Sequence, residues 1–349
     1  MDPGPQYGVL IGLVLCAALP DNGAVKKHIY IYSPSGAVRD KAAFKRGIRH
    51  LEAMGHAVEI DSDALSSHTR FAGDDTTRLA AIHRAAASGA DVAMISRGGY
   101  GLTRILGGIR YKLIAKAIER GTQFVGISDF TALQLALFTK TGSITWAGPA
   151  LCEGFGVGGK AKGDTTGAVE QVPDEIMEDC FNDMLSGQGE GAGWRQHRTA
   201  TPITATNDQQ DKPITVKNAT LWGGNLTMLT SLLGTDYFPA VKGGILFLED
   251  VGEHPYRIER MLTQLLHAGV LSRQKAILLG QFTEFNLTAH DKGFGMPGVV
   301  QWLRSQTKTP VLTNLPFGHV ATKILLPVGA KMDLLVEGRD ALLFWGHRE

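Results

Sequence analysis

The stretch Gln123–Leu137 constrains this chain more than any other. Phe124-Val125-Gly126-Ile127 is a β-branched and aromatic run that reads as a short buried strand. Phe130, Leu133, Leu135 and Leu137, spaced among Ala and Gln, read as a buried helix. Ser128 stands at the switch between them. A serine on a sharp strand-to-helix turn exposes its Oγ, and the next N–H and the positive helix end lie beside it. Two readings follow. Ser128 is either an N-cap, with Asp129 in the first helical turn, or a nucleophile on an elbow. Phe130 occupies the place of the second Gly in Gly-x-Ser-x-Gly, so this stretch alone does not choose.

The chain around it alternates strands and helices. His28–Tyr32, Ala57–Ile60, Asp91–Ile95 and Ile144–Ala147 read as further strands, and Asp40–Met54 and Asp74–Ser88 as helices between them. That pattern predicts an α/β fold with a doubly wound, largely parallel N-terminal sheet. In such sheets ligands sit beyond the carboxyl ends of the strands, where both Ser128 and Arg97-Gly98-Gly99-Tyr100-Gly101 fall. A chain of 349 residues has room for a second domain. Ile214–Leu221, Gly244–Leu248, Ala276–Gly280, Val311–Leu312 and Lys323–Leu326 read as its strands, with Trp222-Gly223-Gly224-Asn225 as a turn, Leu226–Leu233 as a short helix and Pro255–Ala268 as a longer one. The expected division is therefore an extension over 1–24, an N-terminal α/β domain over 25–165, a linker and surface insertion over 166–212, and a smaller β-rich α/β C-terminal domain over 213–349. The polar run Thr199–Lys212 carries the insertion. Gly8–Leu19 has the length of a signal-peptide core, but Met1–Tyr7 holds Asp2 and no basic residue. The expectation is that 1–24 stay outside the fold, either as a loosely ordered segment or because translation truly begins near Val25.

Composition excludes several classes. A formal net charge of +1 leaves no footprint for nucleic acid or a membrane surface. Cys16, Cys152 and Cys180 lie far apart, which suits a reducing compartment rather than a disulfide framework. No His-Glu-x-x-His or other metal-ligand spacing occurs, so neither a metal nor a cofactor is expected. The Arg97–Gly101 loop is a phosphate cradle, a second oxyanion donor for an elbow serine, or a plain turn. Glu249 closes an apolar strand and could orient a histidine, with Asp250 and Glu253 as competitors. His319, one of eleven histidines, lies in a Pro-Phe-Gly-His turn from which its ring can project.

These motifs together resemble the LD-carboxypeptidase family, on the side of the bacterial murein tetrapeptide carboxypeptidases. The first half is carried by Ser-Pro-Ser-Gly36, Phe-Ala-Gly73 with Arg78, Arg97–Gly101, Gly-Ile-Ser128-Asp-Phe-Thr-Ala132 and Gly148-Pro149. The second is carried by Leu221–Leu226, Gly234-Thr235, Leu248–Met261, Gln274–Ile277, Phe317-Gly-His319 and Leu326-Pro-Val-Gly329. The resemblance implies a serine peptidase with Ser128 as nucleophile, His319 as general base and Glu249 as its orienter. It implies an oxyanion hole from the N–H groups of Asp129 and Gly99. It also implies release of the terminal D-Ala from a murein tetrapeptide, after the L-centre of meso-diaminopimelate, in cytoplasmic cell-wall recycling by a homodimer. Arg97 and Trp222 are the candidate substrate contacts, Arg97 because an exopeptidase must recognise a free C-terminus. Within the family, the alternative is a self-immunity peptidase acting on a peptide–nucleotide antibiotic, which a basic, aromatic-lined loop would favour. Outside it, a nucleotide-binding protein using Arg97–Gly101 would need an acidic ribose partner, for which only Glu119 is near the right distance.

Overall fold

A computed structural model describes residues 26–158, 172–197 and 213–346. The expectations for 1–24 and for Thr199–Lys212 lie outside these residues. The first half carries β1 (His28–Tyr32), α1 (Lys41–Ala53), β2 (Ala57–Ile60), α2 (Asp75–Ala87), β3 (Val92–Ile95), α3 (Leu102–Ile105), α4 (Tyr111–Glu119), β4 (Gln123–Gly126), α5 (Phe130–Thr141) and β5 (Thr145–Ala147). A π-helical turn, Leu151–Phe155, follows. Helix starts are set locally: Asp40 accepts the Ala42 and Ala43 N–H groups at 2.8 and 2.9 Å, and Asp74 that of Thr77 at 2.7 Å.

Strands β1 to β5 pair in parallel in the order β5-β4-β3-β1-β2. Ile29 and Ile31 are buried against Phe44 and Leu151 on one face, while Tyr30 and Tyr32 are buried with Ile82 and Ile114 on the other. Helices thus cover both faces, as a parallel sheet requires. The strand order reverses between β1 and β3, and this is where the loops after β1 and β3 meet: Gly36 N–H donates to Gly98 O at 3.2 Å.

The second half carries α6 (Glu175–Ser186), β6 (Gly191–Arg195), β7 (Ile214–Asn225), α7 (Leu226–Ser231), β8 (Ile245–Val251), α8 (Pro255–His267), β9 (Ala276–Thr283), α9 (Met296–Gln306), β10 (Val311–Leu312), β11 (Leu326–Val328), β12 (Lys331–Glu337) and β13 (Asp340–Phe344). A seven-stranded sheet runs β10-β9-β8-β7-β12-β13-β6, parallel from β10 to β7 and antiparallel beyond. The α/β class with a parallel N-terminal sheet and a second, mixed domain therefore holds.

Three local expectations change. Trp222–Asn225 is no turn but the end of β7. Gly223 has φ +133°, and a Cβ there would overlap the Phe247 carbonyl, so the glycine lets β7 press against β8. The strand expected over Lys323–Leu326 begins only at Leu326, and it joins the first sheet, antiparallel to β5. The span 166–212 is not all linker. Within it, Met177, Phe181 and Met184 of α6 complete the core under the first sheet, and β6 forms the edge of the second.

Candidate active site

Ser128 sits where β4 becomes α5, with φ +68°. Left-handed backbone at a non-glycine residue costs about 1–3 kcal/mol and persists where its surroundings dictate it. The residue at the N-cap of α5 is Asp129 rather than Ser128, and its side chain makes no capping bond. The N-cap reading of Ser128 therefore gives way to the elbow. Gly98 backs directly onto it: a Cβ on Gly98 would lie 2.6 Å from Ser128 Cβ and 2.7 Å from its Oγ. Among the described residues the N–H groups of Gly99 and Asp129 donate to no protein acceptor. Asp129 is fully buried, and its Oδ2 accepts the Leu102 N–H at 2.9 Å. One residue thus offers an N–H beside Ser128 and holds the far end of the 97–101 loop with its carboxylate. Burial raises the Asp129 pKa, against the hydrogen bonds it accepts.

The acid and base come from the second sheet. Glu249, on β8, is fully buried, and its Oε2 lies 2.8 Å from His319 Nδ1. A carboxylate can only accept, so Nδ1 carries the proton and Nε2 is left free to act as a base. Asn225 Nδ2 donates to Glu249 Oε1 at 3.2 Å and to Asp250 Oδ1 at 2.9 Å. The Asn225 N–H donates to Thr131 Oγ1 at 3.0 Å, and Thr131 N–H to Ser128 O at 2.9 Å. A continuous chain of hydrogen bonds therefore runs from the elbow backbone through Thr131, Asn225 and Glu249 to His319. Ser128 Oγ itself makes no hydrogen bond among the described residues; such bonds often tighten only with substrate. Burial alone would lower the His319 pKa, but the Glu249 hydrogen bond and the charges of Glu249, Asp250 and Glu153 outweigh it and raise it above the usual histidine value. Asp250, a competitor for the orienting role, is turned to Thr227 and Asn225 instead. Glu253 pairs with Arg257 at 3.5 Å.

Two expected substrate contacts look different in three dimensions. Trp222 has no exposed surface; its Nε1 donates to Gln274 Oε1 at 3.0 Å and its ring meets Phe238 edge-on. It belongs to the core of the second domain and offers nothing to a substrate. Arg97 stays at the site, but its guanidinium packs against Gly36 and Gly99 and its Nε lies 3.5 Å from Glu153 Oε1. Sequence reading missed Thr131 and Asn225, which carry the link between the domains, because nothing in periodicity marks a bond across a domain boundary. No group of three or more His, Cys, Asp or Glu able to hold a metal occurs among the described residues. No helix among them is long and apolar enough to cross a membrane.

A hydroxyl on a strained elbow, two free N–H groups beside it and a carboxylate-bound imidazole define a hydrolase-type site on a doubly wound scaffold. The profile of the LD-carboxypeptidase N-terminal domain matches residues 29–148, and that of its C-terminal domain residues 218–334. The chain belongs to the LD-carboxypeptidase family. The crystal structure of muramoyltetrapeptide carboxypeptidase from Oxalobacter formigenes superposes with a TM-score of 0.76 at 35% identity, covering 91% of this chain and 98% of that one. The murein tetrapeptide carboxypeptidase of Pseudomonas aeruginosa is 27% identical over 304 residues, 86% of this chain and 91% of its own. The microcin C7 self-immunity protein MccF of Escherichia coli is 25% identical over 325 residues, 88% of this chain and 90% of its own.

Proposed function

We propose that the protein is a serine-type LD-carboxypeptidase that releases the terminal D-Ala from murein tetrapeptides in cytoplasmic peptidoglycan recycling, acting as a homodimer. The observation that carries this reading is the Glu249–His319 pair at 2.8 Å, tied through Asn225 and Thr131 to a serine held at φ +68°. Ser128 Oγ attacks the scissile carbonyl carbon while His319 Nε2 takes its proton. The oxyanion that forms lies against the N–H of Asp129 at the start of α5 and that of Gly99 in the loop after β3. His319 then protonates the amine of the departing D-Ala, and water hydrolyses the acyl-enzyme by the same base. The names of the Oxalobacter and Pseudomonas relatives support the substrate.

Purified protein is offered a murein tetrapeptide, and free D-Ala is followed by mass spectrometry. The wild type releases D-Ala, and Ser128→Ala loses turnover by at least about 10⁴-fold with its fold intact. A wild type that releases none, or a Ser128→Ala variant that keeps its activity, ends the serine reading.

A second reading has one observation in its favour. On the 97–101 loop, Tyr100 is 40% exposed and Arg70 lies 5.8 Å over its ring, with Phe71 and Arg104 adjoining. A basic, aromatic patch is what a peptide–nucleotide substrate would use. Offering such a conjugate beside the tetrapeptide, and comparing kcat/KM, separates the two substrates on the same triad.

A further inference from the structure

A carboxypeptidase must find the free carboxylate of the residue that it releases, and in a water-poor cleft this calls for a cation or several N–H groups. Two cations stand at the rim beside the elbow. Arg97 is engaged already, by Glu153 and by its packing against Gly36 and Gly99. Lys323 is not. It is 4% exposed, and its Nζ has one acceptor among the described residues, the Ala321 carbonyl at 3.5 Å. That is the outer limit of a hydrogen bond. No carboxylate among the described residues forms an ion pair with it. A buried ammonium without a close anion is costly, and a ligand anion would remove that cost.

Strand register places Lys323 at the site. Gly126, at the end of β4, lies beside Ala147 of β5, and Ala147 lies beside Leu326 of β11. Because β11 runs antiparallel, the residues before Leu326 continue past the carboxyl ends of β4 and β5. This is the edge from which Ser128 rises. From the other direction, Lys323 follows His319 on one short loop. Burial lowers the Lys323 pKa, while Asp174, Glu153 and Glu249 counter it from longer range. The lysine is therefore bracketed by the base, its orienter and the acid that already occupies Arg97.

We propose that Lys323 is the receptor for the terminal carboxylate of the peptide substrate, the group that makes the enzyme an exopeptidase. Arg97 then serves to hold Gly36 and Gly99 in place through its packing. The proposal rests on the peptidase reading above, and its test separates the two.

The full-length wild type, Lys323→Met, Lys323→Gln and Lys323→Arg are each given two murein tetrapeptides that differ only at the C-terminus, one a free acid and one its amide. The ratio of the two kcat/KM values is the readout. The wild type favours the acid by at least about tenfold, the worth of one hydrogen bond to a charged group. In Lys323→Met and Lys323→Gln that preference collapses toward one while cleavage of the amide survives, and Lys323→Arg restores part of it. Variants that keep the preference, or that lose both peptides by the same factor, overturn the assignment and make Lys323 structural. A wild type with no preference for the acid overturns it too. A wild type that cleaves neither peptide removes the peptidase reading itself.

Discussion

His319 holds its proton more tightly than an ordinary histidine, because Glu249 at 2.8 Å and the charges of Asp250 and Glu153 outweigh its burial. In the proposed mechanism His319 must be neutral to accept the Ser128 proton, so its raised pKa is expected to set the acid limb of the pH profile above the usual histidine value. Activity is lost as pH falls through that value and is full above it. Glu249→Gln removes the charge and most of the raising influence. Its acid limb should move to lower pH, and kcat should fall by about 10³–10⁴-fold, as loss of a triad acid does elsewhere. A kcat/KM profile of the two proteins checks both statements; an unmoved limb would mean that another group titrates. At this scale the sequence was informative where chemistry restricts residue type. Motif and resemblance name Ser128, Glu249 and His319 as the proposed triad, and the fold sets the last two 2.8 Å apart. Trp222 was misread because an aromatic beside Gly223 and Gly224 looks like a loop contact until the strand is seen to continue under it.

At the scale of elements, the site is a junction of β4–α5 with β7–α7 and β8. Asn225 ends β7, caps α7 by accepting the Met228 N–H at 3.1 Å, and bridges Glu249 and Asp250 with its amide. Asn225→Ala would strip donors from two buried carboxylates and the cap from a helix. The expected loss is about 1–3 kcal/mol of stability, seen as a lower denaturation midpoint at unchanged slope. A drop in kcat should accompany it, because Glu249 is then held on one side only. Full stability and activity in this variant would show that Asn225 does not support the acid. Strands and helices of the first sheet were readable because each carries its own period: apolar runs for strands buried on both faces, and Asp40 and Asp74 as caps. The end of β7 was not, because two consecutive glycines give no period and also mark turns.

At the scale of the molecule, the two sheets are interwoven. Strand β11 leaves the second domain to flank β5, and α6 returns to fill the core under β1 and β3 after the chain has left the first sheet. A fragment ending at residue 158 would lack both and would expose Trp146, beside which β11 pairs, and Phe155, against which Phe181 of α6 packs. It should fail to fold alone, giving no cooperative transition in denaturant and binding a hydrophobic dye; a sharp transition would show that the first sheet is self-sufficient. The amino-acid sequence by itself determined the local elements, the doubly wound class and the residue types able to cut a peptide bond, because periods, caps and short motifs act over a few neighbouring residues. Tertiary structure alone decided that Asp250 and Glu253 turn to partners other than His319 and that Trp222 is core. It also decided that Lys323 is buried with no ion pair among the described residues and that α6 and β11 serve the first sheet. Those outcomes turn on contacts between residues far apart in the chain, which appear only when the register of two sheets brings their strand ends together.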